Sequence, residues 1–339
     1  MRYLLLLVLT LLSINISALE WEEQRLFKGA AGKQTLRVIS STDISIFAPI
    51  IKRFLVSHPE LNVEYLVAGS SAIYGIYRQT PEEFDVVVSS AMDLQLKLAN
   101  DGFALQLTDL NHPDWAQWRQ SVFGFTLEPA AIVINRAAFD TLPVPQSRQE
   151  MIEVLRANPE TFKGRIGTYD VRRSGLGYLL ATQDSRSSET YWRLMEIMGG
   201  LDARLYCCSA DMIEDLAEGK IAISYNVLGS YADARDDLAS KIQVVLPSDF
   251  PTTMMRTALV SGSSSKPDAA VTFLQFLTAS RWSEADATAG ASSSALPALN
   301  AEARTSQRSV IALDPGLMIF LDTMKRRLFV KAWENAIIQ

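Results

Sequence analysis

The stretch from Arg165 to Leu180, RIGTYDVRRSGLGYLL, carries two adjacent arginines and two glycines at the junction of two apolar runs. Turn-forming and cap-forming residues occupy this junction, which predicts a strand that ends near Tyr169 and a helix that starts near Ser174. Guanidinium groups and the N–H groups of a helix start together suit a carboxylate or a phosphate. The predicted anion site consists of Asp170, Arg172, Arg173, Ser174 and Gly175.

One of the two arginines is expected to face a ligand cleft and the other to face solvent, because adjacent loop residues rarely point the same way. The alternative for each arginine is an ordinary solvated position on the surface. The Ser-Gly-Leu-Gly pattern alone is weak evidence, since it matches neither the dinucleotide-binding fingerprint nor the P-loop.

Hydroxyl groups follow three successive predicted strands, which begin at Leu36, Val63 and Phe84. Ligands of open parallel sheets bind beyond the carboxyl ends of the strands, so these groups should lie along one edge. Serine and threonine are also ordinary helix N-caps. The coincidence of three such loops nevertheless favours a polar cleft wall. The candidate ligand-binding residues of this wall are Ser41, Thr42, Asp43, Ser70, Ser71, Ser89 and Ser90.

A further predicted strand, from Ile221, ends in SYNVLGSY. Its Tyr225, Asn226 and Tyr231 are candidates for the opposite side of a polar ligand. An aromatic residue at a strand end belongs to the core about as often as to a site, so the core remains the alternative for the tyrosines.

Catalytic and metal-binding patterns find little support in the sequence. There is no G-x-S-x-G or H-E-x-x-H motif, and the chain has only 2 histidines. His58 and His112 each precede a proline, and we interpret them as surface or capping residues. We therefore predict no enzyme activity, no cofactor and no metal site.

The 2 cysteines, Cys207 and Cys208, are adjacent. Neighbouring Cα atoms lie about 3.8 Å apart, which is shorter than the usual span of a disulfide. We interpret the pair as small buried thiols, with a vicinal disulfide or a soft-metal site as the alternatives.

Strands alternate with helical patterns along the chain, which indicates an α/β fold with mostly parallel sheets covered by helices. The strands form two sets, and the chain crosses from the first to the second and returns. We predict a first lobe at 19–128, a second lobe with hinge strands at 129–250, and a return to the first lobe with C-terminal helices at 251–339. Two crossings form a hinge, and a cleft between hinged lobes is a common ligand site.

Residues 1–18 resemble an export leader: Arg2 precedes an apolar run from Leu4 to Leu12, and Ala18 is a plausible cleavage point. A retained anchor or a lipid attachment is the alternative, although no cysteine lies near the cut. The chain has 32 Lys and Arg against 38 Asp and Glu, and this acidic balance argues against nucleic-acid binding. We predict a periplasmic protein without membrane insertion after leader cleavage.

Four stretches together resemble the extracellular solute-binding proteins of ABC transporters, and most closely the branch labelled as iron(III)-type periplasmic components. They are STDISIFAPIIKRFLVSHPELNVEY, DVVVSSAMDLQLKLANDGFA, GRIGTYDVRRSGLGYLLATQDS and ISYNVLGSYA. The resemblance implies the two-lobed type II periplasmic binding fold with a two-crossing hinge, no catalysis, a monomer, and delivery of a small solute to a membrane permease.

The label iron(III)-type does not imply that this chain binds iron. Ferric-binding members use a neighbouring pair of tyrosines, commonly with a histidine and a carboxylate. Here Tyr225 is followed by Asn226, and the next tyrosine is Tyr231. We therefore predict that the cleft captures a small anion, such as a carboxylate, a phosphate or a phosphorylated organic compound, for an ABC-type importer. A sensor that presents its ligand-bound form to a membrane histidine kinase is the alternative, ferric iron binding is a lesser one, and an exported hydrolase is the least favoured.

Overall fold

A computed structural model describes residues 21–279, 296–299 and 310–338. The predicted leader and part of the predicted C-terminal helical region lie outside the described residues. Among the described helices, none combines the length and the apolar content needed to cross a lipid bilayer.

The described strands form two separate sheets. Their bounds are β1 (Glu23–Lys28), β2 (Gln34–Ser40), β3 (Leu61–Val67), β4 (Val86–Ser89), β5 (Gln117–Trp118), β6 (Val122–Gly124), β7 (Glu128–Asn135), β8 (Ile166–Tyr169), β9 (Arg204–Tyr206), β10 (Ile223–Leu228), β11 (Ile242–Val245), β12 (Thr253–Met254) and β13 (Thr257–Val260). The first sheet has the order β1-β3-β2-β4-β13-β6-β5, and the second has the order β11-β7-β10-β8-β9, with β12 paired to β7.

Helices cover both sheets. Their bounds are α1 (Ile44–Ser57), α2 (Ser70–Gln79), α3 (Met92–Asn100), α4 (Arg148–Ala157), α5 (Pro159–Phe162), α6 (Gly175–Ser187), α7 (Thr190–Gly200), α8 (Ser209–Ala217), α9 (Gly229–Asp233), α10 (Pro267–Thr278) and α11 (Thr323–Ile337). A 3₁₀ segment, Pro315–Leu321, precedes the last helix. In helix α1, the side chains of Phe47, Ile51 and Phe54 are fully buried, and the helix ends before His58 and Pro59.

The two-lobed α/β fold with a sheet in each lobe is as predicted. Parallel pairing holds β2 between β3 and β4 in the first sheet, and holds β8 between β9 and β10 in the second. The strands next to the hinge, β6, β7, β12 and β13, pair antiparallel with their neighbours, as does β1. Both sheets therefore contain parallel and antiparallel strand pairs.

The two predicted crossings lie side by side. The chain leaves the first sheet after β6, enters the second at β7, and returns between β12 and β13. At the crossing, the N–H of Phe125 donates to the carbonyl oxygen of Arg256 at 3.0 Å, and the N–H of Arg256 donates to Thr126 Oγ1 at 2.8 Å. These bonds tie the two hinge segments together.

The end of the chain differs from the prediction that it returns to the first lobe. The 3₁₀ segment packs against α3 of the first lobe, but α11 packs against α7 of the second lobe. The apolar side chains of α11, including Phe329 and Trp333, are buried in the second core with Tyr191 and Met198. The C-terminal segment thus contacts both lobes.

Candidate functional site

A cleft lies between the lobes. Several helices begin at or near residues that line the cleft. They are α1, α2 and α3 of the first lobe, and α6 and α8 of the second. Six of the predicted site residues line this cleft: Ser41, Asp43, Ser70, Ser90, Ser174 and Tyr231. Ten lining residues were not predicted as ligand-binding, and those with polar or sulfur-containing side chains are Glu22, Tyr169, Cys207, Cys208, Ser209 and Arg256.

The first-lobe wall is built by neighbouring parallel strands. Because β2 pairs with β4, the loops that follow them meet, and Ser41 Oγ lies 3.2 Å from Ser90 Oγ. Ser41 Oγ also accepts a hydrogen bond from the N–H of Ser90 at 3.0 Å. The wall therefore has the hydroxyl-rich edge that the sequence predicts.

Asp43 connects this wall to the second lobe. The hydroxyl of Tyr231 donates a hydrogen bond to the Asp43 carboxylate across the cleft. Burial raises the pKa of Asp43, and neither this hydrogen bond nor the positive charge of Arg256 offsets the effect. The Asp43 carboxylate can thus accept a hydrogen bond from a ligand hydroxyl while Tyr231 holds it.

Glu22 is a second acidic group in the cleft. Its carboxylate accepts a hydrogen bond from the N–H of Gly69 at the start of α2. Desolvation raises the pKa of Glu22, with Asp43 and Asp211 adding like-charge repulsion. Glu22 and Asp43 thus lie on the first-lobe side of the cleft, whereas Asp211 lies in the first turn of α8 in the second lobe.

Arg256 lies at the base of the cleft and is 0% exposed. Its Nε and Nη2 donate to the two carboxylate oxygens of Glu128 at 3.0 and 2.8 Å, and its Nη1 donates to Thr42 Oγ1 at 2.6 Å. Burial alone would lower the pKa of Arg256, but the charge of Glu128 and its other partners raises it, so the group stays cationic.

Glu128 is satisfied by two further donors. The hydroxyls of Thr126 and Ser230 each donate to its carboxylate at 2.7 Å. The Arg256–Glu128 pair therefore joins the hinge to both lobes in a hydrogen-bonded network below the cleft.

The start of α6 makes the closest contact between the lobes. Ser174 caps the helix by accepting from the N–H of Gly177 at 3.1 Å, and the N–H of Leu176 donates to Ser70 Oγ of the first lobe at 3.1 Å. A Cβ on Gly175 would lie 3.0 Å from Ser70 Oγ and 3.1 Å from the Cβ of Ala91. The absent side chain allows α6 to reach α2 and α3.

Neither arginine of the Arg172–Arg173 pair is among the residues that line the cleft. Arg172 donates from Nε and Nη2 to the two Asp170 oxygens at 2.8 and 2.7 Å, reaches Glu334 at 3.4 Å, and is exposed, as is Arg173. Asp170 lies only two residues from Arg172 in the same turn, so it is a nearby partner for the guanidinium group. Burial would raise the pKa of Asp170, but the hydrogen bonds and charge of Arg172 outweigh it and lower the pKa.

Four other predicted residues lie around the cleft without lining it. Thr42 is fully buried behind the wall beside Arg256, and Ser89 Oγ accepts from the N–H of Ala91 at 3.1 Å. Ser71 is a partly exposed residue of α2, and Gly175 lies in the contact between lobes. Ligand contacts by these four residues remain predictions.

Tyr225 and Asn226 belong to a buried network of the second lobe and do not line the cleft. The Tyr225 hydroxyl donates to Asp184 at 2.7 Å and accepts from Arg148 Nε at 2.6 Å, and Asn226 Nδ2 donates to Asp184 at 2.7 Å. Asn226 has a φ of 64°, where the pairing of β10 with β7 shifts register. For Tyr225, the core alternative is what the structure shows.

The interpretation of Cys207 and Cys208 as buried thiols is wrong. They form a vicinal disulfide, one of the two alternatives, and both are partly exposed. They lie at the end of β9, where the chain turns into α8 at the rim of the cleft, so no core surrounds them. The two sulfurs and an Asp211 carboxylate oxygen lie within 4.8 Å of one another, but bonded sulfurs are not thiolate ligands.

The histidines have structural partners. His58 follows α1, and its Nδ1 lies 3.2 Å from the carbonyl oxygen of Phe54, as expected for a capping residue. His112 is half-buried and its Nε2 lies 2.7 Å from the carbonyl oxygen of Gly124, so it is neither a surface residue nor a cap. Burial lowers the pKa of His112.

One sequence signal could have revealed the Arg256–Glu128 pair. Each residue is a lone charge inside an otherwise apolar segment, MMRTALV and TLEPAAIVI. Charges in such positions are buried only when paired, so two of opposite sign predict each other. Glu22 had no comparable signal, because it precedes a strand whose exposed side is polar.

The fold and its cleft define a class: two lobes, joined by two hinge segments, that close on a small polar ligand. Residues 68–309 match the family model described as bacterial extracellular solute-binding protein, and the chain belongs to that family. It is therefore a binding protein with a small-molecule ligand and a permease partner, and not an enzyme. No curated protein sequence shows significant similarity to the chain.

Several solved structures resemble this chain. The substrate-binding protein of an ABC transporter from Agrobacterium tumefaciens is 31% identical, with a TM-score of 0.85 over 93% of this chain and 98% of that one. AfuA from Actinobacillus pleuropneumoniae, solved with fructose-6-phosphate bound, is 13% identical, with a TM-score of 0.70 over 90% of this chain and 99% of that one. Iron-bound HitA from Pseudomonas aeruginosa is 16% identical, with a TM-score of 0.59 over 72% of this chain and 80% of that one.

Proposed function

We propose that the protein captures a small hydroxylated anion, such as a sugar phosphate, in the cleft between its lobes and delivers it to an ABC-type importer. The observation that carries this proposal is the convergence of helix starts and serine hydroxyls on one closed cleft. The N-terminal end of a helix carries partial positive charge and N–H donors, and both favour an anionic group. Arg256 also lines this cleft, where Glu128 pairs with its guanidinium group.

The acidic residues restrict which anion fits. Glu22 and Asp43 line the cleft, and Glu128 already neutralises Arg256. A bare polyanion would meet repulsion from the two carboxylates. A ligand with an anionic group at one end and hydroxyl donors at the other would place the anion near the start of α6 or α8 and the hydroxyls against Asp43 and Glu22. AfuA, whose structure holds fructose-6-phosphate, is a relative with such a ligand.

Ferric iron is a poorer candidate, although some structural relatives carry it. Tyr225, at the position of the tyrosine pair, bonds to Arg148 and Asp184 in the second lobe. Tyr231 is engaged as well, because its hydroxyl donates a hydrogen bond to Asp43. The proposal also includes export, cleavage after Ala18, and a monomeric periplasmic protein.

A melting screen tests the proposed ligand class. We expect fructose-6-phosphate or another sugar phosphate to raise the melting temperature by several degrees, since ligand at a hundredfold over Kd adds about 2.7 kcal/mol of stability. Fructose, inorganic phosphate and ferric citrate are the matched probes. A larger shift with ferric citrate, or with the uncharged sugar than with its phosphate, would reject the proposed class.

A further inference from the structure

The Cys207–Cys208 disulfide is a covalent ring in the wall of the cleft. A disulfide between distant residues stabilises a protein mainly by restricting its unfolded chain, and the effect grows with the loop that it closes. A bridge between adjacent residues closes almost no loop. Global stability therefore does not explain this bond, and its effect must be local to the cleft wall.

The bond fixes the backbone where α8 starts. Cys208 is the N-cap of α8 and Ser209 is its first residue. Ser209 Oγ and the hydroxyl of Tyr169 lie 2.5 Å apart, and both residues line the cleft. The direction of the first N–H groups of α8, and the position of Ser209 and Tyr169, thus depend on the conformation of the two cysteines.

We propose that the Cys207–Cys208 disulfide is part of the ligand-binding surface, so that the oxidised protein binds its solute more tightly than the reduced protein. This inference rests on the proposed function, because it assigns a further residue pair to the same cleft. The bond should persist in an oxidising compartment outside the cytoplasm.

Reduction by a dithiol has a simple course. One thiolate of the reductant attacks a cysteine sulfur and forms a mixed disulfide, and the second thiolate then displaces that cysteine. Two electrons pass to the protein, which gains two thiols, and the reductant becomes a cyclic disulfide. The freed side chains can rotate apart, and the Asp211 carboxylate, 3.6 Å from Cys207 Sγ, can accept a hydrogen bond from the Cys207 thiol.

Ligand binding and reduction should be coupled in both directions. If reduction weakens binding about tenfold, bound ligand must make the disulfide harder to reduce by the same factor. For a two-electron couple, a tenfold change corresponds to a reduction potential about 30 mV more negative. This reciprocal shift would not arise if the bond only stabilised the fold.

The experiment compares Kd for fructose-6-phosphate in the oxidised protein, the dithiothreitol-reduced protein and the double variant Cys207→Ser/Cys208→Ser, all with EDTA present. We expect about tenfold weaker binding in the reduced protein and in the double variant, with little change in the melting temperature of the unliganded protein. The double variant should not respond to dithiothreitol. Equal Kd in oxidised and reduced protein would overturn the inference.

Two ligand-free measurements keep the inference testable if fructose-6-phosphate does not bind, a result that would count against the proposed ligand class alone. Alkylation under denaturing conditions without reductant should label neither cysteine, and labelling of both would overturn the inference. Reduction should also speed amide hydrogen exchange at residues 207–211 and near Tyr169. Unchanged exchange there would equally overturn it.

Discussion

Two arginine–carboxylate pairs in this protein have the same fork geometry and different surroundings. Arg256 meets Glu128 at 3.0 and 2.8 Å, and Arg172 meets Asp170 at 2.8 and 2.7 Å. The first pair has side-chain exposures of 1% and 0%, and the second has 37% and 8%. Glu128 precedes its partner by 128 positions and lies at the hinge, whereas Asp170 precedes its partner by 2 and closes a local turn.

A charged residue near the start of a helix is thus not necessarily a ligand-binding residue. Arg172 is satisfied by the nearest carboxylate in the sequence and stays in solvent, while Arg256 is held below the cleft by groups from distant segments. A third acidic residue, Asp93, differs from Glu128 and Asp170. Asp93 is buried, and desolvation raises its pKa to about 7 although the Leu94 N–H donates to it.

The largest expected effect comes from breaking the buried pair. Arg256→Met leaves the Glu128 charge buried without its partner, which should lower the free energy of unfolding by about 3–5 kcal/mol. Urea unfolding measures this loss. Adding Glu128→Leu to Arg256→Met should recover part of the stability, since both charges are then removed. A loss below about 1 kcal/mol for Arg256→Met would mean that the pair is solvated.

The second-largest effect should come from a substitution that hinders closure of the two lobes. Gly175→Val places side-chain atoms against Ser70 and Ala91, where even a Cβ would lie 3.0 and 3.1 Å away. We expect ligand affinity to fall about tenfold or more because the closed form is disfavoured, with little change in unliganded stability. Titration calorimetry and small-angle scattering provide the measurements. Gly75→Ala is the matched control, because nothing lies within 4 Å of its added Cβ. Unchanged affinity for Gly175→Val would contradict the closed arrangement.

Asp93 gives a pH-dependent prediction. Burial raises the pKa of Asp93 from its ordinary value of 3.8 to about 7 in the folded state, so between these pH values the folded protein keeps a proton that the unfolded chain has released. Stability from this group is therefore complete below the unfolded pKa and falls as pH rises through 7, by at most about 1.4 kcal/mol per pH unit.

The variant Asp93→Asn should remove this pH dependence. It should be more stable than wild type at pH 8, and this difference should shrink steadily as the pH falls toward 3.8. Thermal melting across this range provides the measurement, and Asp109→Asn, at an exposed position, is the control. Equal stability of Asp93→Asn and wild type at pH 8 would show that Asp93 is not desolvated.

The smallest effect should come from the exposed pair. Arg172→Ala should change the free energy of unfolding by less than about 1 kcal/mol, because exposed ion pairs contribute little. The same variant should keep wild-type ligand affinity in calorimetry. A tenfold loss of affinity would return Arg172 to the binding site.

Local patterns in the sequence predicted much of the fold. The apolar runs of β2, β3 and β4 and the serines after them gave the first-lobe wall, because strand pairing and the position of the following loop depend on neighbouring residues. Ser41, Ser70 and Ser90 reach the cleft for this reason. The hinge strands were equally visible as returning apolar segments.

Features that depend on distant contacts were not predictable in the same way. The partner of Arg256 lies 128 residues away, and α11 packs on the second lobe because Phe329 and Trp333 fit its core. The oxidation state of Cys207 and Cys208 depends on the exposed position of the turn before α8. Arg172 shows the converse, since a neighbouring carboxylate satisfied the charge that the sequence pattern assigned to a ligand.

Titration calorimetry with fructose-6-phosphate on wild type, Asp43→Ala and Arg172→Ala tests the central claim, that the polar cleft between the lobes binds a hydroxylated anion. Binding by wild type, about tenfold or more weaker binding by Asp43→Ala, and wild-type affinity for Arg172→Ala are the predicted results, since a hydrogen bond to a charged group contributes about 1.5–3 kcal/mol. Melting temperatures of the unliganded variants confirm that each is folded. Wild-type affinity in a folded Asp43→Ala variant, with loss in Arg172→Ala, would contradict the account.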